Sequence, residues 1–129
     1  MAVFSTAAAN AMLDALEAAI GASPTLLIFD AAQPADTTSA DIGNVLATMA
    51  LPADWMAAAT GRSKALLGTW RDAGADAAGV PAGFAIKQGA TVWLRGTASA
   101  AAGSGELKFT NTPFSVGQQI DVTAFALSM

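Results

Sequence analysis

Apolar and polar positions follow two rhythms along this chain. From Ser5 to Gly21 the period is helical: Ala9, Leu13, Leu16 and Ile20 recur at the spacing that places them on one stripe, with Met12 beside it. Asn10, Asp14 and Glu17 lie off that stripe. Ser5 or Thr6 can cap the start, Gly21 supplies a stop and Pro24 prevents continuation. The pattern predicts a helix within residues 1–22, whose default role is to pack on a sheet or on a neighbour.

Beyond Pro24 the pattern turns to short β-rich runs separated by turn residues. Thr25–Asp30 and Asn44–Leu51 read as strands around a long loop, Ala31–Gly43, of small, polar and proline residues. A second loop, Pro52–Ser63, has room for one helical turn around Trp55 and leads to a strand at Lys64–Trp70. Ala82–Lys87 and Thr91–Ser99 are joined by a tight connection at Gln88-Gly89, where glycine supplies the positive φ a hairpin needs. Ala100–Gly105 reads as a flexible connection and its "GSG" as part of a hairpin loop. Glu106–Thr110 alternates cleanly, with Leu107 and Phe109 on one face. Asn111–Gln118 is a turn and Gln119–Leu127 the last strand. Regular short strands without helices between them predict a mainly β fold: an antiparallel β-sandwich of about seven strands with one N-terminal α-helix. Residues 1–129 form a single domain in this reading, with the helix at 1–22 and the sandwich at 24–129.

The three tryptophans divide by position. Trp70 and Trp93 sit on predicted strands and are expected in the core. Trp55 follows Pro52 in a loop, and with Met56 it is a candidate anchor for a subunit contact. The helical stripe of Leu13, Leu16 and Ile20 packs either within the subunit or against another copy.

Composition removes most chemistry. The chain has no cysteine and no histidine. Thiol nucleophiles, thiolate metal sites, the usual general base and the usual zinc ligand are therefore absent. No phosphate-binding loop occurs, and the aspartates lie mostly in loops or at strand ends, where they form turns. The stretch "GTWRDAGADAAGVPAGFAI" crowds Asp72 and Asp76 with glycines and reads as a turn, with calcium ligation by the two acids as the rival. No catalytic residue, cofactor or metal is expected. A net charge of -4 disfavours nucleic acid. No apolar run approaches the length of a membrane span, and the alanine-rich N-terminus lacks the basic start of a leader and reads as part of the mature protein. Charged residues make up only 12% of the chain. About 25% is usual, so the surface is weakly solvated and suits a subunit covered by partners, with an alanine-rich composition set by coding bias as the rival reading.

Several segments in series, "AANAMLDALEAAIGA", "LLIFDAAQPADTTSADIGNVLATMALPADWM", "GTWRDAGADAAGVPAGFAIKQGATVWLRGT" and the closing "GELKFTNTPFSVGQQIDVTAFAL", resemble small structural proteins of tailed phages and prophages. One departure is "KFTNTPF", where aspartate and an aliphatic residue are more usual. The resemblance implies a virion component made in the host bacterial cytoplasm, most like a capsid decoration or minor capsid protein. Such a protein sits on the capsid surface, takes the major capsid protein as partner and forms a homo-oligomer, with a trimer favoured. A tail, neck or baseplate component is the rival within that group. A receptor- or glycan-binding module of the particle, using strand-end loops and exposed aromatics, is the rival outside it.

Overall fold

The computed structural model describes residues 2–110 and 112–129. Asn111, the first residue of the expected turn before the last strand, lies outside the described residues. One helix, α1 (Thr6–Ile20), precedes eight strands: β1 (Thr25–Phe29), β2 (Val45–Ala50), β3 (Ser63–Ala65), β4 (Arg71–Asp72), β5 (Gly83–Gln88), β6 (Thr91–Ala100), β7 (Leu107–Phe109) and β8 (Ile120–Ser128). Ser5 caps α1 by accepting a hydrogen bond from the Ala8 N–H at 3.1 Å, and Gly21 ends it.

The strands form one curled, mixed sheet in the order β2-β1-β5-β6-β7-β8-β3, with β4 also paired to β8. The mainly β character and the single helix match the sequence pattern; the strands form one curled sheet in place of the expected two-sheet sandwich, and they are not all antiparallel. β6 and β7 run parallel, with Ala98 opposite Leu107. Parallel neighbours ordinarily need a crossover of a dozen or more residues, so the short 101–106 connection reads from sequence as a hairpin. The return is possible because Gly105 has no side chain: a Cβ there would lie 2.6 Å from both the Ala98 carbonyl carbon and the Ser99 nitrogen.

Two further expectations change for local reasons. The Lys64–Trp70 strand survives only as β3, because Gly68 at φ +75 throws the chain outward before it rejoins β8 as β4. Trp93 is not in the core; it is 38% exposed. Ile86 pairs with Leu94 and Lys87 with Val92, so Trp93 is the extra residue of a β-bulge and its neighbour Leu94 takes the inward position. The segment around Trp55 forms no helical turn; Met56 instead makes an isolated bridge to Leu66.

The concave face of the sheet holds the core. Leu26, Ile28, Leu46, Phe84, Ile86, Leu107, Phe109, Ile120 and Phe125 line it. A chain of rings runs through it, Trp55–Trp70 at 5.9 Å, Trp70–Phe125 at 5.4 Å and Phe125–Phe84 at 5.5 Å between centroids. The Trp70 indole N–H donates to the Trp55 carbonyl at 3.1 Å, so the pair is joined by polarity as well as by area.

Candidate functional site

The residues singled out as interface candidates lie inside the chain. Trp55 is 0% exposed, and its indole N–H donates to the Gly21 carbonyl at 3.0 Å. Met56, Leu13 and Ile20 are buried, and Leu16 packs against the core from a half-buried position. Internal packing takes up this surface and leaves Trp55 and Met56 nothing exposed to offer a neighbour.

The polar side of α1 is equally engaged, and the sequence reading missed this. Glu17, Asp14 and Asn10 each accept one backbone N–H from the 55–62 segment: Met56 at 3.2 Å, Ala59 at 2.9 Å and Arg62 at 2.9 Å. Helix positions about one turn apart thus meet loop positions three residues apart. Lys64, only 2% exposed, anchors the middle of this row. Its ammonium lies 2.6 Å from Asp14, 2.8 Å from Glu17 and 2.9 Å from the Ala57 carbonyl. Burial pushes the Lys64 pKa down, but the bonds to Asp14 and Glu17 outweigh it and the net shift is upward. The Lys64 bond and the Ala59 N–H hold Asp14 below the usual carboxylate range. The legible signal was the spacing of Asn10, Asp14 and Glu17, a second stripe beside the apolar one.

Asp72 and Asp76 converge on strand β2. Asp72 accepts from the Thr48 N–H at 3.0 Å and from the Gly74 N–H at 3.0 Å, and Asp76 accepts from the Thr48 hydroxyl at 2.9 Å. The segment also donates the Asp76 N–H to the Leu46 carbonyl at 2.8 Å and the Ala75 N–H to the Gln118 carbonyl at 2.7 Å. It therefore straps β2 to the β8 side. Both carboxylates serve as acceptors for this strap, and no group of three potential metal ligands occurs among the described residues.

The long loop 31–43 is an ordered Ω-loop. Its ends are joined where Asp30 accepts the Asn44 backbone N–H at 2.7 Å and the Asn44 side-chain amide at 3.0 Å. Gln33 spans it, accepting from the Ile42 N–H at 3.1 Å and donating to the Ile42 and Ala31 carbonyls at 2.6 and 3.1 Å. The Asp36 carboxylate takes the N–H groups of Ser39 and Thr38 at 2.7 and 2.8 Å, which hold it far below the usual carboxylate range.

Arg95, reaching over from β6, donates to the Asp36 and Ser39 carbonyls at 2.8 Å each and to Asp41 at 2.7 Å. Lys87 on β5 bonds the other Asp41 oxygen at 2.6 Å. Between this loop and the β5–β6 turn lies an open cavity of about 560 Å³, lined by Thr37, Ser39, Asp41, Lys87, Thr91 and Arg95 among others. None of these was singled out from the sequence; the length of the loop was the available sign.

Among the exposed large apolar side chains of the described residues, which also include Met12, Ile42, Leu67 and Trp93, two groups lie near the ends of β8. Val80 and Val116 flank the Gly79–Phe114 bridge, just before β8 begins. Val3, Phe4 and Met129 gather beyond its far end, where Arg62 donates to the carbonyls of Phe4 and Met129. No helix among the described residues is long and apolar enough to cross a membrane. No family model, curated protein or solved structure matches this chain.

Proposed function

We propose that this chain is a non-enzymatic virion structural protein that binds the outer capsid surface and reinforces the joints between capsomers. The observation that carries this reading is the pair of apolar patches at opposite ends of β8. A nine-residue strand at about 3.4 Å per residue separates them by roughly 30 Å. A stiff body with one apolar patch at each end is suited to bridge two neighbours, and exposed apolar groups mark such contacts. Sparse charge lowers the desolvation cost of burying the surface between them. Repetition over many sites then multiplies a modest energy per site.

Quantitative protein analysis of purified virions tests the location: hundreds of copies per head are expected, and a handful of copies at the tail supports a tail, neck or baseplate role instead. Val80→Asp with Val116→Asp tests the contact. The double variant is expected to keep its melting temperature, because both side chains are exposed, and to lose binding to empty capsids. Retained binding overturns the role of that patch. The mass of the free protein in solution checks the homotrimer.

A further inference from the structure

We propose that the cavity between the Ω-loop and the β5–β6 turn is a binding site for a carboxylated sugar of the uronic-acid class. This goes beyond the capsid role and does not depend on it.

Charge comes first. The chain has six basic residues. Lys64 is matched by two carboxylates and Arg71 by Asp121. At the cavity Lys87 and Arg95 both bond the carboxylate of Asp41, and the Asp36 carboxylate, bonded to the lining residues Thr38 and Ser39, lies beside it, so the local charges balance and what the site offers an anion is the spare donor capacity of Lys87. Arg95 is fixed and almost fully buried, its side chain 5% exposed, and its Nε–H is the one buried side-chain nitrogen without a partner among the described residues. No ligand reaches that atom, and Arg95 acts by holding the loop wall and Asp41 in place. Lys87 does face the cavity, and Asp41 is the one acceptor bonded to its ammonium among the described residues. An ammonium has three donors, so two remain for a ligand.

The remaining lining sets the ligand class. Thr37 and Thr91 line the cavity, and their hydroxyls have no partner among the described residues. Each donates one hydrogen bond and accepts others, which matches the hydroxyls of a sugar ring. A doubly charged phosphate is a poorer fit. The nearby backbone N–H groups of Thr38 and Ser39 that would cradle it are already taken by Asp36. One free cationic head and a hydroxyl wall suit one carboxylate on a polyhydroxylated body. The volume lies within the range of about 300–1,000 Å³ typical of small-molecule sites.

The test is an amide-resolved NMR titration of the full chain at low salt with four probes: glucuronate, methyl glucoside, acetate and inorganic phosphate. Glucuronate is expected to bind at least about tenfold tighter than each of the others, with saturable shifts at Thr37, Ser39, Lys87 and Thr91. Lys87→Gln should weaken glucuronate about tenfold, and Thr91→Val about threefold, with the Thr38 and Ser39 amides unmoved in the free variants. If Lys87→Gln disturbs those amides, the Thr91→Val loss decides, because that hydroxyl holds no part of the loop. Equal binding of acetate, phosphate or methyl glucoside, saturable shifts only elsewhere, or unchanged affinity in Thr91→Val overturns the proposal.

Discussion

Helix α1 and the Ω-loop 31–43 are both fastened to the sheet by buried or half-buried cations, yet they are built on opposite plans. The helix brings its own apolar stripe, with Ala9, Leu13 and Ile20 buried, and adds the Asn10–Asp14–Glu17 row and Lys64 on top of it. The loop brings no comparable stripe; Arg95, Lys87 and Gln33 hold it by hydrogen bonds to carbonyls, to Asp41 and to the Ile42 N–H. Apolar burial is non-directional and tolerates small shifts, whereas hydrogen bonds fix positions and weaken steeply when misaligned. The helix is thus a stabilising element trimmed by polar contacts, and the loop is a shape defined by them.

The largest effect that separates the two is Lys64→Ala. It removes a buried cation and leaves Asp14 and Glu17 without their shared ammonium, at a cost of about 3 kcal/mol to global stability in denaturant unfolding. The figure lies at the low end for such sites because both carboxylates keep some solvent contact. Arg95→Ala comes next, at about 2 kcal/mol, as three charge-assisted bonds are lost. Hydrogen exchange should place its loss within residues 31–43 and leave α1 protected; equal loosening of both regions would erase the contrast. Trp93→Ala tests the β6 bulge and should cost less than about 1 kcal/mol in thermal melting, far below a core tryptophan, since the ring is partly solvated.

Acid gives the smallest and most local effect. Asp14 and Asp36 both have folded pKa values below 3.8, so their contributions are present above that pH and fade as pH falls through the folded values. The Asp36 value is lowered much further, so side-chain NMR should show Asp14 protonating first, and the Ala59 amide should lose protection before those of Thr38 and Ser39.

What the sequence revealed depended on the range of the interaction. The helix, capped at Ser5 and ended by Gly21, is written in neighbours three or four residues apart, and so is the alternation in Leu107–Phe109. Strands β1, β2, β5, β6 and β8 begin and end within one residue of where the local pattern placed them. The parallel β6–β7 pair was hidden because nothing local distinguishes a tight parallel return from a hairpin. The cavity was hidden for a longer-range reason: Lys87 and Arg95 find Asp41 at separations of 46 and 54 residues. Trp55 read as an outward anchor because its partner, the Gly21 carbonyl, is 34 residues away.

The strap from Arg71 to Gly79 has a consequence for life at high local concentration. An outermost strand with free N–H and C=O groups invites another chain to add to the sheet. Here the strap occupies Leu46 and Thr48 on β2 through Asp76 and Asp72, and its β4 portion pairs with the first residues of β8. Backbone addition is blocked along these stretches. Strand-to-strand addition, the usual first step of fibrous aggregation, is thereby limited at these positions.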